Sequence, residues 1–347
     1  MTEPLLRIEG LAMRFTNPHD RKKTVHAVDG VDLVVGEGEI VGIVGESGSG
    51  KSTIGRCVLG LETPSAGAVE FQGSDLTRHS KYRARLDLAS RLQVVFQDPY
   101  SSLNPYLTVG QTLIEPLQAS RRVFTAAADE KARDMLEQVG LPREAADRYP
   151  SQFSGGQRQR IGIARALMMD PKLIICDEAV SALDLSTQAQ ILNLLARLAA
   201  ERGLAYIFIA HDLDVVRYIA DRTVVLYRGR VMEQGPAEEV HERPLHPYTA
   251  ALLAAAPVTD PVEQRERRRA RAVVTKPTPL AGPATGHSGC PFAARCAFAQ
   301  EVCRTERPAD TAVGERRVAC HLYDGASGHP AAGTGMPALT TPSKETA

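Results

Sequence analysis

An α/β fold with a mainly parallel sheet is predicted by three features of the sequence. Apolar runs of strand length recur along the chain: "LIICD" within residues 172–177, "AYIFIAH" at 205–211 and "TVVLYRG" at 223–229. They carry no polar face, as expected of strands covered on both sides of a parallel sheet. Helical segments lie between them, which is the connection that parallel strands require. The chain has 347 residues, 43% of them hydrophobic, so it can bury a sizeable core and is long enough for roughly two domains.

The elements follow in order. "VDLVVGEGEIVGIVG" (31–45) is a β-rich run ending in glycine, and "STIGRCVLGL" (52–61) reads as a helix. "GAVEFQG" (67–73) is a short strand between glycines. "RLQVVFQDP" (91–99) is another, stopped by Pro99. From about Gln97 to Ser154 the pattern is helical, as in "TAAADEKARDMLEQVG", and a helical subdomain is expected over about 98–160. The three apolar strands then complete a domain spanning 1–256. Composition changes near 257. Many Pro, Gly and Arg residues with little periodicity predict an extended linker over 257–289, with "RERRRAR" as a solvated basic stretch. Residues 290–322 form a compact four-cysteine module, and a low-complexity, disordered tail is expected over 323–347.

Lys plus Arg and Asp plus Glu both number 41, so formal net charge is zero and no global field draws the chain to nucleic acid or anionic lipid. No nucleic-acid partner is expected. "MTEPLLRIEG" lacks the basic and apolar regions of a secretory signal. No apolar run approaches the ~18–20 residues that span a bilayer. A cytoplasmic protein is therefore expected, where clustered cysteines bind metal or act in redox chemistry more often than they form disulfides.

"GESGSGKST" comprises Gly45, Glu46, Ser47, Gly48, Ser49, Gly50, Lys51, Ser52 and Thr53, and contains the pattern G-x-x-x-x-G-K-[ST]. Glycines let backbone N–H groups curl around phosphate oxygens at the start of a helix, where the dipole favours an anion. Lys51 reaches the terminal phosphates, and the Ser52 hydroxyl is a Mg²⁺ ligand. Such a site needs a carboxylate at the end of a nearby strand. "LIICDE" supplies Asp177 for Mg²⁺, followed by Glu178 to polarise the attacking water. In isolation that Asp–Glu pair would read as a helix cap, but the phosphate loop upstream favours the metal reading.

"QFSGGQRQRIGIARAL" (152–167), just before "LIICDE", resembles the signature of ATP-binding cassette (ABC) ATPases. The resemblance implies a P-loop, RecA-like core with a helical subdomain. It also implies that Ser154, Gly155, Gly156 and Gln157 face the ATP of a second subunit. Further matches imply roles by position. Phe15 would stack on adenine, and Gln97 would ligate Mg²⁺ and sense the membrane partner. Ser181, Ala182, Leu183 and Asp184 would form the loop that crosses between subunits, and His211 would contact the γ-phosphate. Lys51, Glu178 and His211 would be the catalytic set. Ala179 stands where the family usually has proline.

"VFQDPYSSLNP", "LIICDEAVSALDLS" and "HPYTAALLAAAP" look like the oligopeptide/dipeptide importer branch, over about residues 5–322. That implies an ATPase working with transmembrane permease subunits, a second and different ATPase chain, and an extracytoplasmic binding protein, at the cytoplasmic face of the membrane. Nickel complexes or another small solute are alternative cargoes. A non-transport cassette ATPase is a more distant reading, disfavoured because this chain has one cassette and no long insertion.

The remaining cysteines are spaced C-x5-C-x6-C-x16-C: Cys290, Cys296, Cys303 and Cys320. Four thiolates suit an iron–sulfur cluster or tetrahedral zinc. No pair has the C-x2-4-C spacing common in zinc sites. The family resemblance implies a [4Fe–4S] cluster. Cys57 and Cys176, in apolar surroundings, read as small core residues.

Overall fold

The computed structural model describes residues 3–17, 20–78, 88–98, 100, 102–120, 126–256, 260–275 and 288–337. The expected strands form: β3 (Ile40–Val44), β6 (Leu92–Val95), β7 (Leu173–Asp177), β8 (Ala205–Ala210) and β9 (Arg222–Tyr227). They pair in parallel in the order β9-β3-β8-β7-β6. Side chains alternate across a strand, so this sheet has two apolar faces. Val41, Ile43, Ile175, Ile207, Ile209 and Val224 point into one core. Val44, Ile174, Cys176, Tyr206, Phe208 and Val225 point into the other. Both cores were legible as uninterrupted apolar runs.

A second sheet covers the first of these faces. It has the order β2-β1-β4-β5 and is antiparallel, with β1 spanning Leu6–Asn17, β2 Asp20–Val35, β4 Ala66–Phe71 and β5 Ser74–Asp75. The mainly parallel expectation thus holds for the central strands, while the molecule as a whole is mixed. In β1, Leu6 and Ile8 face the core, but the next inward residues are Leu11 and Met13. A register shift between Ile8 and Leu11 changes the phase, with Gly10 at φ 57°. A bulge of this kind hides a strand from a search for strict alternation.

The other face carries the helices Val109–Ala119 and Ala126–Gln138, within the region read as helical, and Gly155–Leu167 and Leu185–Arg202 beyond it. Helix Leu213–Ile219 also packs here, so closely on β3 that a Cβ on Gly42 would lie 2.0 Å from Val216 Cγ1.

The C-terminal region departs from expectation in three places. Within the expected linker, Pro261–Val274 is a helix, N-capped by Asp260, whose side chain accepts the Val262 N–H. The segments 257–259 and 276–287 lie outside the described residues. The cysteine module is joined to the main sheet. Strands β11 (Asp310–Val313) and β12 (Arg316–Ala319) form a hairpin, and β12 pairs with β10 (Arg230–Pro236), the antiparallel neighbour of β9. Finally, residues 323–337 of the expected tail fold back onto the module. Met336 N–H donates to Tyr323 Oη at 3.1 Å, and His329, 7% exposed, has Nε2 3.0 Å from the Phe298 carbonyl. Residues 338–347 lie outside the described part.

Candidate functional site

The phosphate loop runs from the end of β3 to helix Lys51–Val58. Gly50 holds the helix N-cap at φ 105°, and a Cβ there would lie 2.2 Å from the Ala27 carbonyl oxygen. Glycine is therefore required both by conformation and by contact with β2. Lys51 is 4% exposed and donates from Nζ to the carbonyls of Gly45 (2.7 Å) and Glu46 (3.1 Å). Burial pushes its ammonium below the usual range, opposed by the charges of Glu178 and Asp177. The lysine thus rests within electrostatic reach of both carboxylates.

Ser52 and Asp177 meet although 125 residues separate them: Ser52 Oγ donates to Asp177 Oδ1 at 2.8 Å. The parallel register places the C-terminal ends of β3, β7 and β8 side by side and brings them together. Glu178 follows at φ 50°, in the left-handed region that non-glycine residues seldom occupy. Its N–H donates to the Ile209 carbonyl (3.0 Å), and its carbonyl accepts from Ser181 N–H (3.1 Å) and Oγ (3.0 Å). Ala179, in the place of the family proline, is 1% exposed. Here these hydrogen bonds stiffen the loop. His211, just past β8, is exposed and lines a small cavity with Glu178, Ser181 and Asp212.

Ser154 caps helix Gly155–Leu167: Ser154 Oγ accepts the Gln157 N–H (3.3 Å) while Gln157 Oε1 accepts the Ser154 N–H (3.0 Å). A Cβ on Gly156 would lie 2.3 Å from Thr187 Cγ2, and one on Gly155 would lie 3.8 Å from Leu183 Cδ2. The signature therefore packs against the loop Ser181, Ala182, Leu183, Asp184. Asp184 in turn caps helix Leu185–Arg202 by accepting from Thr187 N–H (3.0 Å) and Oγ1 (2.7 Å). Phe15 is 39% exposed on β1, paired with Val25 on the same β2 strand that abuts Gly50. Gln97 is exposed, two residues past the Val95–Cys176 pair of β6 and β7.

Cys290, Cys296, Cys303 and Cys320 line one small cavity together with His246, His321 and His329. None is in a disulfide. Burial pushes the thiols of Cys290 and Cys320 up to about 12, and the neighbouring cysteines add to the shift. Even so, among the described residues no group of three or more His, Cys, Asp or Glu side chains is arranged to hold a metal ion. The expected metal module is therefore not present as a ready-made ion site.

Two side chains at the loop were not foreseen. Tyr248 Oη accepts the Glu46 N–H at 2.9 Å, and Arg295 Nη1 lies 2.9 Å from Glu46 Oε2. Tyr248 lies in "HPYT", a segment noticed in the sequence but given no chemistry. Arg295 stands beside Cys296 and carries no motif.

Comparison with known proteins agrees with this geometry. Residues 28–181 match the ABC transporter family model. Residues 232–303 match the oligopeptide/dipeptide transporter C-terminal region. A Bacillus subtilis protein provisionally named an oligopeptide transport ATP-binding protein is 45% identical over 322 residues, covering 92% of this chain and 96% of its own. A Brucella ovis protein provisionally named a peptide import ATP-binding protein is 48% identical over 309 residues, covering 89% and 94%. Among solved structures, a dimeric ATP-binding cassette in a post-hydrolysis state with ADP and Pi superposes with a TM-score of 0.60 at 30% identity, covering 67% of this chain and 98% of that one. The cbiO1 protein of Clostridium perfringens, part of an ABC transporter complex, gives 0.61 at 27% identity, covering 70% and 93%. With this phosphate loop, signature and C-terminal region in one chain, the protein belongs to the ATP-binding subunits of ABC transporters, in the oligopeptide/dipeptide branch.

Proposed function

We propose that the chain hydrolyses ATP to drive import of oligopeptides or dipeptides, held at the cytoplasmic face of the membrane by separate permease subunits. Among the described residues no helix is long and apolar enough to cross a bilayer, so this reading assigns the crossing to partners. The observation that carries it is the Ser52–Asp177 contact beneath Lys51, in a chain whose C-terminal region matches that of oligopeptide transporters.

The chemistry follows from the placement of the residues. Loop N–H groups and Lys51 take the phosphates. Ser52, Asp177 and Gln97 would hold Mg²⁺, which supplies charge neutralisation at the γ-phosphate. Glu178 orients water and takes its proton, while His211, on the same cavity, contacts the γ-phosphate. Ser154, Gly155, Gly156 and Gln157 would complete the site of a second, different ATPase chain. Phe15 would stack on adenine.

For the cysteine cavity we propose a [4Fe–4S] cluster. Four soft donors share one buried apolar space, and backbone N–H groups of Phe292 and Ala293 approach Cys290, a pattern suited to thiolates bound to iron. Tetrahedral zinc on the same four thiols is the alternative. The cluster would staple the module. Protein purified without oxygen is expected to be brown and to contain iron. A colourless protein with stoichiometric zinc would refute the assignment.

The transport reading is tested by affinity purification from membranes, followed by ATPase assay. Co-purifying permease subunits and hydrolysis stimulated by a peptide-loaded binding protein are expected. Purification with ribosomes instead of permeases would point to the non-transport reading.

A further inference from the structure

Glu46 is held from three sides. Its N–H donates to Tyr248 Oη (2.9 Å), and its carboxylate receives Arg295 Nη1 (2.9 Å). Its carbonyl accepts from Ser49 N–H (3.1 Å) and from Lys51 Nζ (3.1 Å). The last two bonds shape the phosphate loop itself. The first two reach it from the C-terminal region, across 202 and 249 residues of sequence.

Both distant partners are themselves fixed. Tyr248 is fully buried, with its ring centroid 4.5 Å from that of Tyr227 and 5.4 Å from that of Phe292. The Arg295 guanidinium lies 5.4 Å from the Phe292 ring centre and 5.8 Å from the Tyr227 ring centre. Its Nη1 is also 3.4 Å from Tyr227 Oη. The backbone of Arg295 belongs to a turn closed by bonds from Arg295 N–H (2.9 Å) and Cys296 N–H (3.0 Å) to the Phe292 carbonyl. An arginine stacked on rings and set by its backbone has already lost most of its rotamer freedom. His246, two residues before Tyr248, lines the cysteine cavity, and its Nδ1 accepts the Tyr248 N–H at 2.9 Å. One structural unit thus borders the cysteine cavity on one side and the phosphate loop on the other.

We infer that Arg295 and Tyr248 are positioning residues for the ATP reaction. They hold Glu46 so that the phosphate loop is preformed and Lys51 is placed before nucleotide arrives. The Glu46 N–H is occupied by Tyr248, so this residue orients the loop and leaves phosphate contacts to its neighbours. A loop already ordered in its binding shape binds more tightly, because less ordering entropy is lost on association. The inference rests on the ATPase reading above and adds that the C-terminal region acts on nucleotide affinity.

The test uses the full chain and MgATP binding at equilibrium, with KM and kcat measured in the assembled transporter. Arg295→Gln and Tyr248→Phe should each weaken MgATP binding about fivefold, the scale of a partly exposed ion pair or a single hydrogen bond. KM should rise with kcat at saturation retained, as for a group that acts on binding. Tyr248→Phe removes a hydroxyl and no charge, so its effect cannot come from a lost field at the phosphates. The exchanged pair Glu46→Arg with Arg295→Glu should restore affinity to within about twofold, since the ion pair is re-formed. Both single variants binding MgATP within about twofold of the unaltered chain, on the same scale, would overturn the inference. So would a fall in kcat with KM unchanged. Absence of MgATP binding by the unaltered chain would instead refute the ATPase reading itself.

Discussion

Glu178 occupies the left-handed region at φ 50°, a conformation that costs free energy in a residue with a side chain. The strain is sustained by backbone bonds to Ile209 and Ser181, and Glu178 lines the cavity shared with His211. Glu178→Gln keeps the shape and loses the base. MgATP binding should therefore persist while turnover falls by about 100-fold or more. Near-normal hydrolysis would remove Glu178 from the catalytic role. Gly156 makes a second residue-scale case. Its missing Cβ makes room for Thr187 Cγ2, which would otherwise lie at 2.3 Å. Gly156→Ala should destabilise the chain by about 1–3 kcal/mol in urea unfolding. Adding Thr187→Ser, which deletes that methyl but keeps the hydroxyl on Asp184, should recover much of the loss. Ser52, Asp177 and Lys51 were legible because motif spacing and strand order determine where they meet. Arg295 and Tyr248 were not, because contacts across 249 and 202 residues depend on packing that no local pattern encodes.

Element by element, the buried parallel strands declared themselves through unbroken apolar runs. Strand β1 did not, since its bulge shifts the inward positions from Leu6 and Ile8 to Leu11 and Met13. Helix Pro261–Val274 reads as linker in the sequence because the seven residues "RERRRAR" offer no apolar stripe. Its start was nonetheless written in the sequence, with Asp260 at the cap and Pro261 at the first helical position. The loop at Leu245–His246 is set by a buried carboxylate: Glu233, 0% exposed, accepts both backbone N–H groups at 2.9 Å. Glu233→Ala orphans two buried donors and should cost roughly 3 kcal/mol, read as a lower urea midpoint. In the loop 181–184, bonds from Thr187 hold Asp184 below its usual carboxylate range. A depressed carboxyl stabilises the fold above its unfolded value of 3.8 and loses that effect as pH falls through the folded value. Acid unfolding of Asp184→Asn should accordingly be less steep below about pH 4 than that of the unaltered chain.

For the whole molecule, three layers place the site: helices, the central sheet, and the antiparallel sheet, whose strand β2 abuts the phosphate loop. The cysteine module extends the central sheet through β12 and shares a core with Tyr227 and Tyr248, so it is part of the ATPase body. The composition of 257–289, which reads as an extended linker, gives no sign of this shared core. Whether hydrolysis on this chain drives peptide entry is read from uptake of labelled dipeptides and oligopeptides into vesicles carrying the assembled complex, with ATP on this chain's side. ATP-dependent accumulation is expected with the unaltered chain and none above background with Glu178→Gln. Equal accumulation with both, or none of any peptide with the unaltered chain in a complex that hydrolyses ATP, would contradict peptide entry driven by this chain.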